Sequence, residues 1–279
     1  MKSVKRGCAA LLCGLVLSQG ALADAPRRVV SFNLCTDQLL VALADPDQIA
    51  GLSPYATDPV LSVVAARARA FRKLEWQAEA TIPLKPDLVL VGSWDRPATR
   101  RMLERLGFRV VVVDLIADIA AAEGEIRKVA DLLGHPDRGA ALIASLRAAR
   151  AKVAGLASPA FRTALVIERG GFTAGPRTLA ATLIEAAGLH PPQGAPSGYG
   201  GFLPLEKLLA LKPDLLFEKD PPAEAADQGA LYLTHPALRA LYPPERRIAL
   251  PTRFTMCGGP ALVAAFDYLA DRLARLKSR

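Results

Sequence analysis

The sequence has few of the residues and motifs on which catalytic and metal sites are usually built. It contains three histidines and four cysteines in 279 residues, and no two cysteines form a Cys-x-x-Cys pair. No Gly-x-Gly-x-x-Gly follows a predicted strand, and there is no Gly-x-Ser-x-Gly. The dinucleotide-binding, dithiol-redox and serine-hydrolase classes therefore have no support in the sequence.

Long apolar runs are also absent after the first 23 residues. Those residues combine an early basic cluster (Lys2, Lys5, Arg6), an apolar run over 8–17 that is too short to span a bilayer, and Ala21-Leu22-Ala23. This pattern predicts a signal peptide over 1–23, cleaved after Ala23. Its removal lowers the formal net charge from +8 to +5 with no basic run. We therefore expect a soluble exported protein that does not bind nucleic acid.

Two cysteines remain after this cleavage, Cys35 and Cys257. In an oxidising compartment they could form one disulfide or stay as unpaired thiols. Two soft thiolates, with Met256 adjacent, could instead hold a metal ion. The sequence leaves these alternatives open.

Residues 137–156 have the periodicity of one long amphipathic helix. Leu142, Leu146, Ala149, Val153 and Leu156 are spaced 4, 3, 4 and 3 residues apart, which is the stripe of a helix with one apolar face. Pro136 and Asp137 suit its first turn, and Gly155 and Ser158-Pro159 its end. We interpret it as a rigid connection between two lobes; the alternative is one more surface helix of a single domain.

Strands alternate with helices on both sides of this helix. The predicted strands cover 28–32, 49–52, 88–91 and 109–114 in the first half, and 163–168, 215–218 and 247–250 in the second. Predicted helices cover 38–44, 98–106, 178–187, 235–241 and 260–276, with Asn33 or Thr36 as the N-cap of the first. The pattern predicts an α/β fold of two Rossmann-like lobes, each with a mostly parallel central sheet. We assign 24–134 to the N-terminal lobe, 135–158 to the connecting backbone helix and 159–279 to the C-terminal lobe.

A short repeat supports a common plan for the two lobes. Leu-Lys-Pro-Asp-Leu occurs at 84–88 and 211–215, and a glutamate (Glu79, Glu206) lies eight residues before each aspartate. Each glutamate is predicted to open a helix, where the helix dipole favours a carboxylate. Besides that structural role, two glutamates on equivalent surfaces could form a pair of docking points for a two-fold partner.

Ligands of open α/β sheets bind beyond the carboxyl ends of the strands. The loops predicted there combine aromatic residues with arginines, which suits a large, partly planar or anionic ligand. The candidate ligand-binding residues are Asn33, Cys35, Tyr55, Trp94, Arg96, Phe172, Tyr199, Arg253, Phe254 and Cys257.

The repeats, the tryptophan-bearing loop after the first of them, the connecting helix and the export signal resemble the periplasmic binding proteins of ABC importers for iron–siderophore and cobalamin complexes. The most specific segments are Ile-Pro-Leu-Lys-Pro-Asp-Leu-Val at 82–89 and Thr-His-Pro-Ala-Leu at 234–238. The resemblance implies a periplasmic, monomeric, non-enzymatic protein without an intrinsic cofactor. It would bind an iron or cobalt chelate between its lobes, and Glu79 and Glu206 would dock on an ABC permease dimer.

Some features depart from this family. His135, His190 and His235 lie at predicted turns and helix ends, and no tyrosine is placed convincingly as a haem ligand, so haem is the least favoured chelate. A bridge between Cys35 and Cys257 would tie the lobes across the mouth of the site, where the family is not expected to place a disulfide. The alternative function is an exported two-lobed enzyme of the transferase or thiol-redox type.

Overall fold

The computed structural model of the protein describes residues 25–154, 156, 161–221, 224 and 227–277. The predicted signal peptide (1–23), with its cleavage after Ala23, lies outside these residues. So do Gly155 and Ser158-Pro159, where the connecting helix is predicted to end. Among the described residues, no helix has both the length and the apolar composition needed to cross a membrane.

The first sheet is entirely parallel and has the strand order β2-β1-β3-β4. Its strands alternate with helices, in the pattern of crossover connections. The strands are β1 Val29–Ser31, β2 Ile49–Gly51, β3 Leu88–Gly92 and β4 Val110–Val113, and the helices are α1 Leu34–Leu43, α2 Ala65–Ala68, α3 Pro97–Arg105 and α4 Ile119–Leu133.

The second sheet is mixed, in the order β7-β6-β5-β8-β9. Strands β5, β8 and β9 run parallel, whereas β6 pairs antiparallel with both β5 and β7. The strands are β5 Ala164–Ile167, β6 Phe172–Ala174, β7 Gly200–Phe202, β8 Leu215–Lys219 and β9 Arg247–Leu250. The accompanying helices are α6 Leu179–Ala186, α7 Leu205–Leu211, α8 Gln228–Thr234, α9 Pro236–Leu241 and α10 Pro260–Lys277.

Helix α5, Pro136–Val153, lies between the two sheets in sequence and packs against α4 and α10. Its buried stripe is Gly139, Ile143, Leu146, Ala149 and Val153. The prediction was right for Leu146, Ala149 and Val153, whereas Ile143 is buried in place of Leu142 and Leu156 lies beyond the end of the helix. Gly139 permits a close approach to α4, because a Cβ at this position would lie 2.5 Å from the Cβ of Ala130. The lobe boundaries at 134 and 159 stay a prediction.

The core continues from one sheet to the other. Alternate residues of a strand face opposite sides of the sheet, and on one side Leu88 and Leu90 of β3 join the same buried cluster as Val166 of β5 and Phe217 of β8. Residues of α1, α4, α5, α6 and α10 belong to the same cluster. The other face of each sheet has its own smaller cluster. Burial on both faces explains why the parallel strands are nearly continuous apolar runs.

Several elements differ from the prediction. Helix α1 begins at Leu34 rather than at 38, and its N-cap is Asn33, whose side chain accepts a hydrogen bond from the Cys35 N–H, and not Thr36. Helix α4 was missed, although it runs beside α5. Strand β6, which begins at Phe172, is not among the predicted strands. Glu79 does lie in a first helical turn, although the helix is a short 3₁₀ helix, Ala78–Leu84.

Candidate functional site

An aromatic pocket lies at the carboxyl ends of the strands of the first sheet, and we call it the N-lobe pocket. It has a volume of about 280 Å³. Phe32 and Val91, at the ends of β1 and β3, are buried beneath it. Tyr55 and Trp76 pack together with ring centroids 5.0 Å apart. The complete lining is Phe32, Tyr55, Trp76, Val91, Trp94, Asp95, Arg96, Thr99 and Arg100.

This pocket brings together three of the predicted ligand-binding residues, Tyr55, Trp94 and Arg96. Trp94 is 80% exposed and Tyr55 48% exposed, which is unusual for such large apolar side chains. Sequence reasoning missed Trp76 and Arg100. Trp76, one of the two tryptophans in the chain, follows a short isolated bridge between Leu52 and Lys73 that no local pattern indicated.

The loops that carry these side chains are held by the turn between β1 and α1. The Asn33 Nδ2 donates to Asp95 Oδ1 at 2.7 Å, and the Gly92 N–H donates to Asp95 Oδ2 at 2.5 Å. Gly92 has to be small, because a Cβ there would lie 2.6 Å from Asn33 Nδ2. Asn33 therefore positions the loop of Trp94, rather than lining the N-lobe pocket itself.

Asp37 holds the neighbouring loop in a similar way. Its carboxylate is fully buried and accepts hydrogen bonds from the Ser53 N–H at 3.0 Å and the Ser53 hydroxyl at 2.5 Å. Burial raises the pKa of Asp37 to about 7, against the lowering effect of hydrogen bonds from Ser31 and Ser53. Ser53 precedes Tyr55 by two residues, so a buried titratable group is coupled to a loop that lines the N-lobe pocket.

Cys35 and Cys257 form a disulfide, with their Cα atoms 5.1 Å apart. Of the alternatives that the sequence left open, the structure has the disulfide; free thiols and metal ligation by these two residues are therefore wrong, since a disulfide offers no thiolate. Among the described residues, no group of three or more His, Cys, Asp or Glu could hold a metal ion.

The disulfide lies beside a small groove of about 70 Å³ that both lobes line. Trp94 borders this groove as well as the N-lobe pocket, so the two cavities adjoin. The groove is lined by Asn33, Cys35, Thr36, Gly92, Ser93, Trp94, Val113, Asp114, Leu115, Ile116, Met256, Cys257 and Gly258.

Two predicted ligand-binding residues near Cys257 have other contacts. Phe254 is 6% exposed and packs against Tyr268 of α10 with centroids 5.0 Å apart, so its assignment to the cleft is wrong. The Arg253 guanidinium lies over the Phe254 ring, and its Nη1 is 3.5 Å from the carbonyl oxygen of Pro59 in the N-terminal lobe. Arg253 therefore contributes to the contact between the lobes.

Phe172 and Tyr199 belong to a second aromatic group, on β6 and beside β7. Phe172 packs edge-on against Phe202, which is 77% exposed. The Arg177 guanidinium lies 4.6 Å from the centre of the Tyr199 ring. Arg177 was not predicted. Phe202 was missed because the three-residue strand β7 starts with two glycines and gives no strand pattern.

The three histidines lie outside these cavities. His135 Nε2 is 2.8 Å from Gln48 Oε1 and 3.4 Å from Asp45 Oδ2. His235 caps α9 by accepting a hydrogen bond from the Ala237 N–H. His190 pairs through its backbone with Thr163. These contacts agree with structural roles for all three.

Two α/β lobes with a parallel and a mixed sheet, joined by one long helix and bearing aromatic residues at their strand ends, define a two-lobed binding protein. The sequence matches the family described as periplasmic binding protein over residues 29–230, and the chain belongs to this family. It is therefore a binding protein and not an enzyme, and the alternative of a transferase or thiol-redox enzyme is wrong.

Known proteins share parts of the sequence or the fold. A cobalamin-binding protein of Halobacterium salinarum is 28% identical over 172 residues, which are 61% of this chain and 47% of the relative. The chain thus spans about half the length of the curated relatives that it matches. A periplasmic haem-binding protein from Pseudomonas aeruginosa has a TM-score of 0.70 at 23% identity, covering 90% of this chain and 93% of the other. The periplasmic vitamin B12-binding protein BtuF of Vibrio cholerae has a TM-score of 0.68 at 14% identity, covering 91% and 99%. At these identities the two structures show a common fold.

Proposed function

We propose that this protein captures a metal chelate, a ferric siderophore or a cobalamin-like corrinoid, in the cleft between its lobes and delivers it to an ABC permease. The observation that carries this proposal is the N-lobe pocket, where Tyr55, Trp76 and Trp94 stand partly exposed at the strand ends beside arginines. Flat aromatic walls suit the apolar body of a chelate, and arginines suit its polar rim. The similarity to a cobalamin-binding protein supports the same class of ligand.

The volume of the pocket indicates how such a ligand would bind. About 280 Å³ is at the lower end for small-molecule sites, so the pocket would hold one edge of a chelate. The opposite edge would meet Phe172, Phe202 and Tyr199 of the C-terminal lobe. Asn33, Cys35, Arg253 and Cys257 would bound the cleft at the junction of the lobes.

Tryptophan fluorescence tests this proposal directly, because both tryptophans of the chain line the pocket. The protein lacking residues 1–23 is titrated with ferric siderophores, cyanocobalamin and haemin. We expect saturable quenching by one chelate at submicromolar concentration. Trp76→Phe and Trp94→Phe separate the two reporters, and each should lower the affinity as well as the signal. Absence of quenching and of calorimetric heat with every chelate would overturn the proposal.

Glu79 and Glu206 are proposed as the docking points for the permease. Both side chains are exposed, and both lie in the first turn of the short helix that precedes a Lys-Pro-Asp turn. Two equivalent acidic points suit a two-fold symmetric partner with basic pockets. The double change Glu79→Arg with Glu206→Arg should abolish uptake in a reconstituted transporter and leave chelate affinity unchanged. Glu75→Arg with Glu185→Arg, also exposed, is the control; uptake that survives the Glu79 and Glu206 changes would contradict the assignment.

Export completes the proposal. The predicted signal peptide would be removed after Ala23, leaving a periplasmic monomer of two lobes divided at 135–158. Edman sequencing of protein secreted into the periplasm identifies its N-terminal residue, and light scattering measures its mass in solution. An N-terminus at Asp24 and the mass of one chain are expected.

A further inference from the structure

Two arginines at the start of α3 point to the charge of the ligand. Arg96 is the N-cap residue before this helix, Arg100 lies within it, and both line the N-lobe pocket. Within the described part of the chain, no side chain forms an ion pair or a hydrogen bond with Arg96. The Nε of Arg100 is buried without a hydrogen-bond partner, and the guanidinium forms one long ion pair, of 3.8 Å, with the exposed Glu104.

The carboxylate in the lining of the pocket is already engaged. Both oxygens of Asp95 accept hydrogen bonds, from Asn33 Nδ2 and the Gly92 N–H, and these bonds hold the loop of Trp94. Asp95 is therefore bound to its own loop and does not pair with either guanidinium. A buried N–H without a hydrogen-bond partner costs free energy. An anion in the pocket would give Arg96 a counter-charge and Arg100 a second acidic partner.

We propose that the chelate bound by this protein is anionic, with carboxylate or catecholate oxygens at its rim that accept hydrogen bonds from Arg96 and Arg100. Its apolar or aromatic body would lie against Tyr55, Trp76 and Trp94. Charge-assisted hydrogen bonds from arginine are among the stronger polar contacts in proteins. This inference rests on the proposed function and narrows it, because an electroneutral chelate with only amide groups at its rim would leave Arg96 without a counter-charge and Arg100 with only its long ion pair to Glu104.

The test uses two ferric chelates of equal coordination number and different charge. A ferric tris-catecholate carries three negative charges, whereas a ferric tris-hydroxamate is neutral; neutral cyanocobalamin serves as a third probe. Dissociation constants are measured for the wild type, Arg96→Gln, Arg100→Gln and a matched control, Arg101→Gln with Arg105→Gln. The control residues lie on the same helix but line a separate surface depression.

We expect the wild type to bind the tris-catecholate more tightly than either neutral probe. Arg96→Gln and Arg100→Gln should each weaken tris-catecholate binding by about 10-fold or more, as for a hydrogen bond to a charged group, and leave the neutral probes unaffected. The control variant should bind all three like the wild type.

The two proposals fail in different ways. Equal or tighter binding of a neutral probe, or tris-catecholate binding that does not respond to the arginine changes, overturns the inference on charge and leaves chelate capture in place. Failure of the wild type to bind any metal chelate overturns both. Circular dichroism of each variant shows whether a loss of affinity reflects a loss of folded protein.

Discussion

At the scale of single residues, the turn from β1 into α1 connects three parts of the cleft. Asn33 holds the Trp94 loop through Asp95, Asp37 holds the Tyr55 loop through Ser53, and Cys35 is bonded to the C-terminal lobe. These three side chains are two residues apart in sequence. One short segment therefore contacts three different neighbours. A change at Asp37, which lines neither cavity, should therefore alter ligand binding through the Tyr55 loop.

Replacing Asp37 by asparagine should change how stability depends on pH. The pKa of Asp37 is raised in the folded protein to about 7 from 3.8, so the folded state binds a proton more readily than the unfolded state between these values. The wild-type free energy of unfolding should fall as pH rises through this window, by up to about 4 kcal/mol, and then level off. The Asp37→Asn change removes this contribution, because an amide does not titrate in this range.

Urea unfolding at pH 5 and pH 8 measures the difference. The stability of the wild type relative to Asp37→Asn should be lower at pH 8 than at pH 5. Asp47→Asn, on an exposed 3₁₀ turn, is the control and should show no such trend. A difference between wild type and Asp37→Asn that is the same at both pH values would contradict the prediction.

Residue types alone predicted part of the site. Asn33 as a cap and Tyr55, Trp94 and Arg96 on strand-end loops followed from the order of elements. Phe254 followed the same rule and was assigned wrongly, because an aromatic residue in a loop has the same local sequence whether it faces the core or the cleft. Trp76 and Arg100 come to the N-lobe pocket only through tertiary packing.

At the scale of elements, the two Leu-Lys-Pro-Asp-Leu segments adopt one geometry. Lys85 and Lys212 end their helices in the left-handed region, with φ of 43° and 46°. Asp87 accepts hydrogen bonds from the N–H groups of Arg27 and Arg28, and Asp214 from those of Arg162 and Thr163. Burial acts to raise the pKa of Asp214, but these hydrogen bonds outweigh it and hold the pKa below its ordinary value.

Glycine at the two lysine positions should stabilise the protein. A side chain in the left-handed region costs about 1 kcal/mol. Glycine removes this cost, but its greater conformational freedom in the unfolded state offsets part of the gain. Lys85→Gly and Lys212→Gly should each raise the free energy of unfolding by roughly 0.5 kcal/mol. Lys207→Gly, within α7, should lower it by about 1 kcal/mol. Chemical denaturation of the three variants measures these values, and a loss of stability at position 85 or 212 would refute the argument.

The repeat could be predicted from the sequence because it is a short contiguous segment. The parallel strands could be predicted because their apolar runs are continuous. Helix α4 was missed although its buried residues, Ala122, Ile126, Val129, Ala130 and Leu133, have helical spacing between the N-cap Asp118 and the C-cap Gly134. Strands β6 and β7 have three residues each and pair mainly with each other. Such short antiparallel pairs carry no periodicity of their own.

At the scale of the whole molecule, the two lobes share a core and a covalent bond. The core cluster includes residues of both sheets, and the Thr182 hydroxyl donates to the Ala117 carbonyl across the junction at 3.2 Å. The disulfide joins α1 to the segment before α10. Lobe separation is thus restricted on the side of the disulfide, and opening of the cleft would take place on the far side of it.

Removal of the disulfide should destabilise the whole protein. The bridge closes a long loop, and native disulfides typically contribute about 2–5 kcal/mol. Cys35→Ser with Cys257→Ser should lower the free energy of unfolding by this amount. Reductant should have the same effect on the wild type and none on the double variant, as followed by thermal and urea unfolding. Equal stability of the oxidised wild type and the double variant would show that the bond constrains little.

The same disulfide turns most of the chain into a closed ring. Cys35 and Cys257 are 222 positions apart, and helix α5 and all the strands described above except β1 lie within this interval. Tension applied to the two ends would pass through the sulfur–sulfur bond and bypass everything inside the ring. A protease that threads a polypeptide from one end would have to pull two segments of the chain at once when it reached Cys35 or Cys257. The oxidised protein should therefore resist mechanical unfolding and processive degradation far beyond what its thermodynamic stability alone would give.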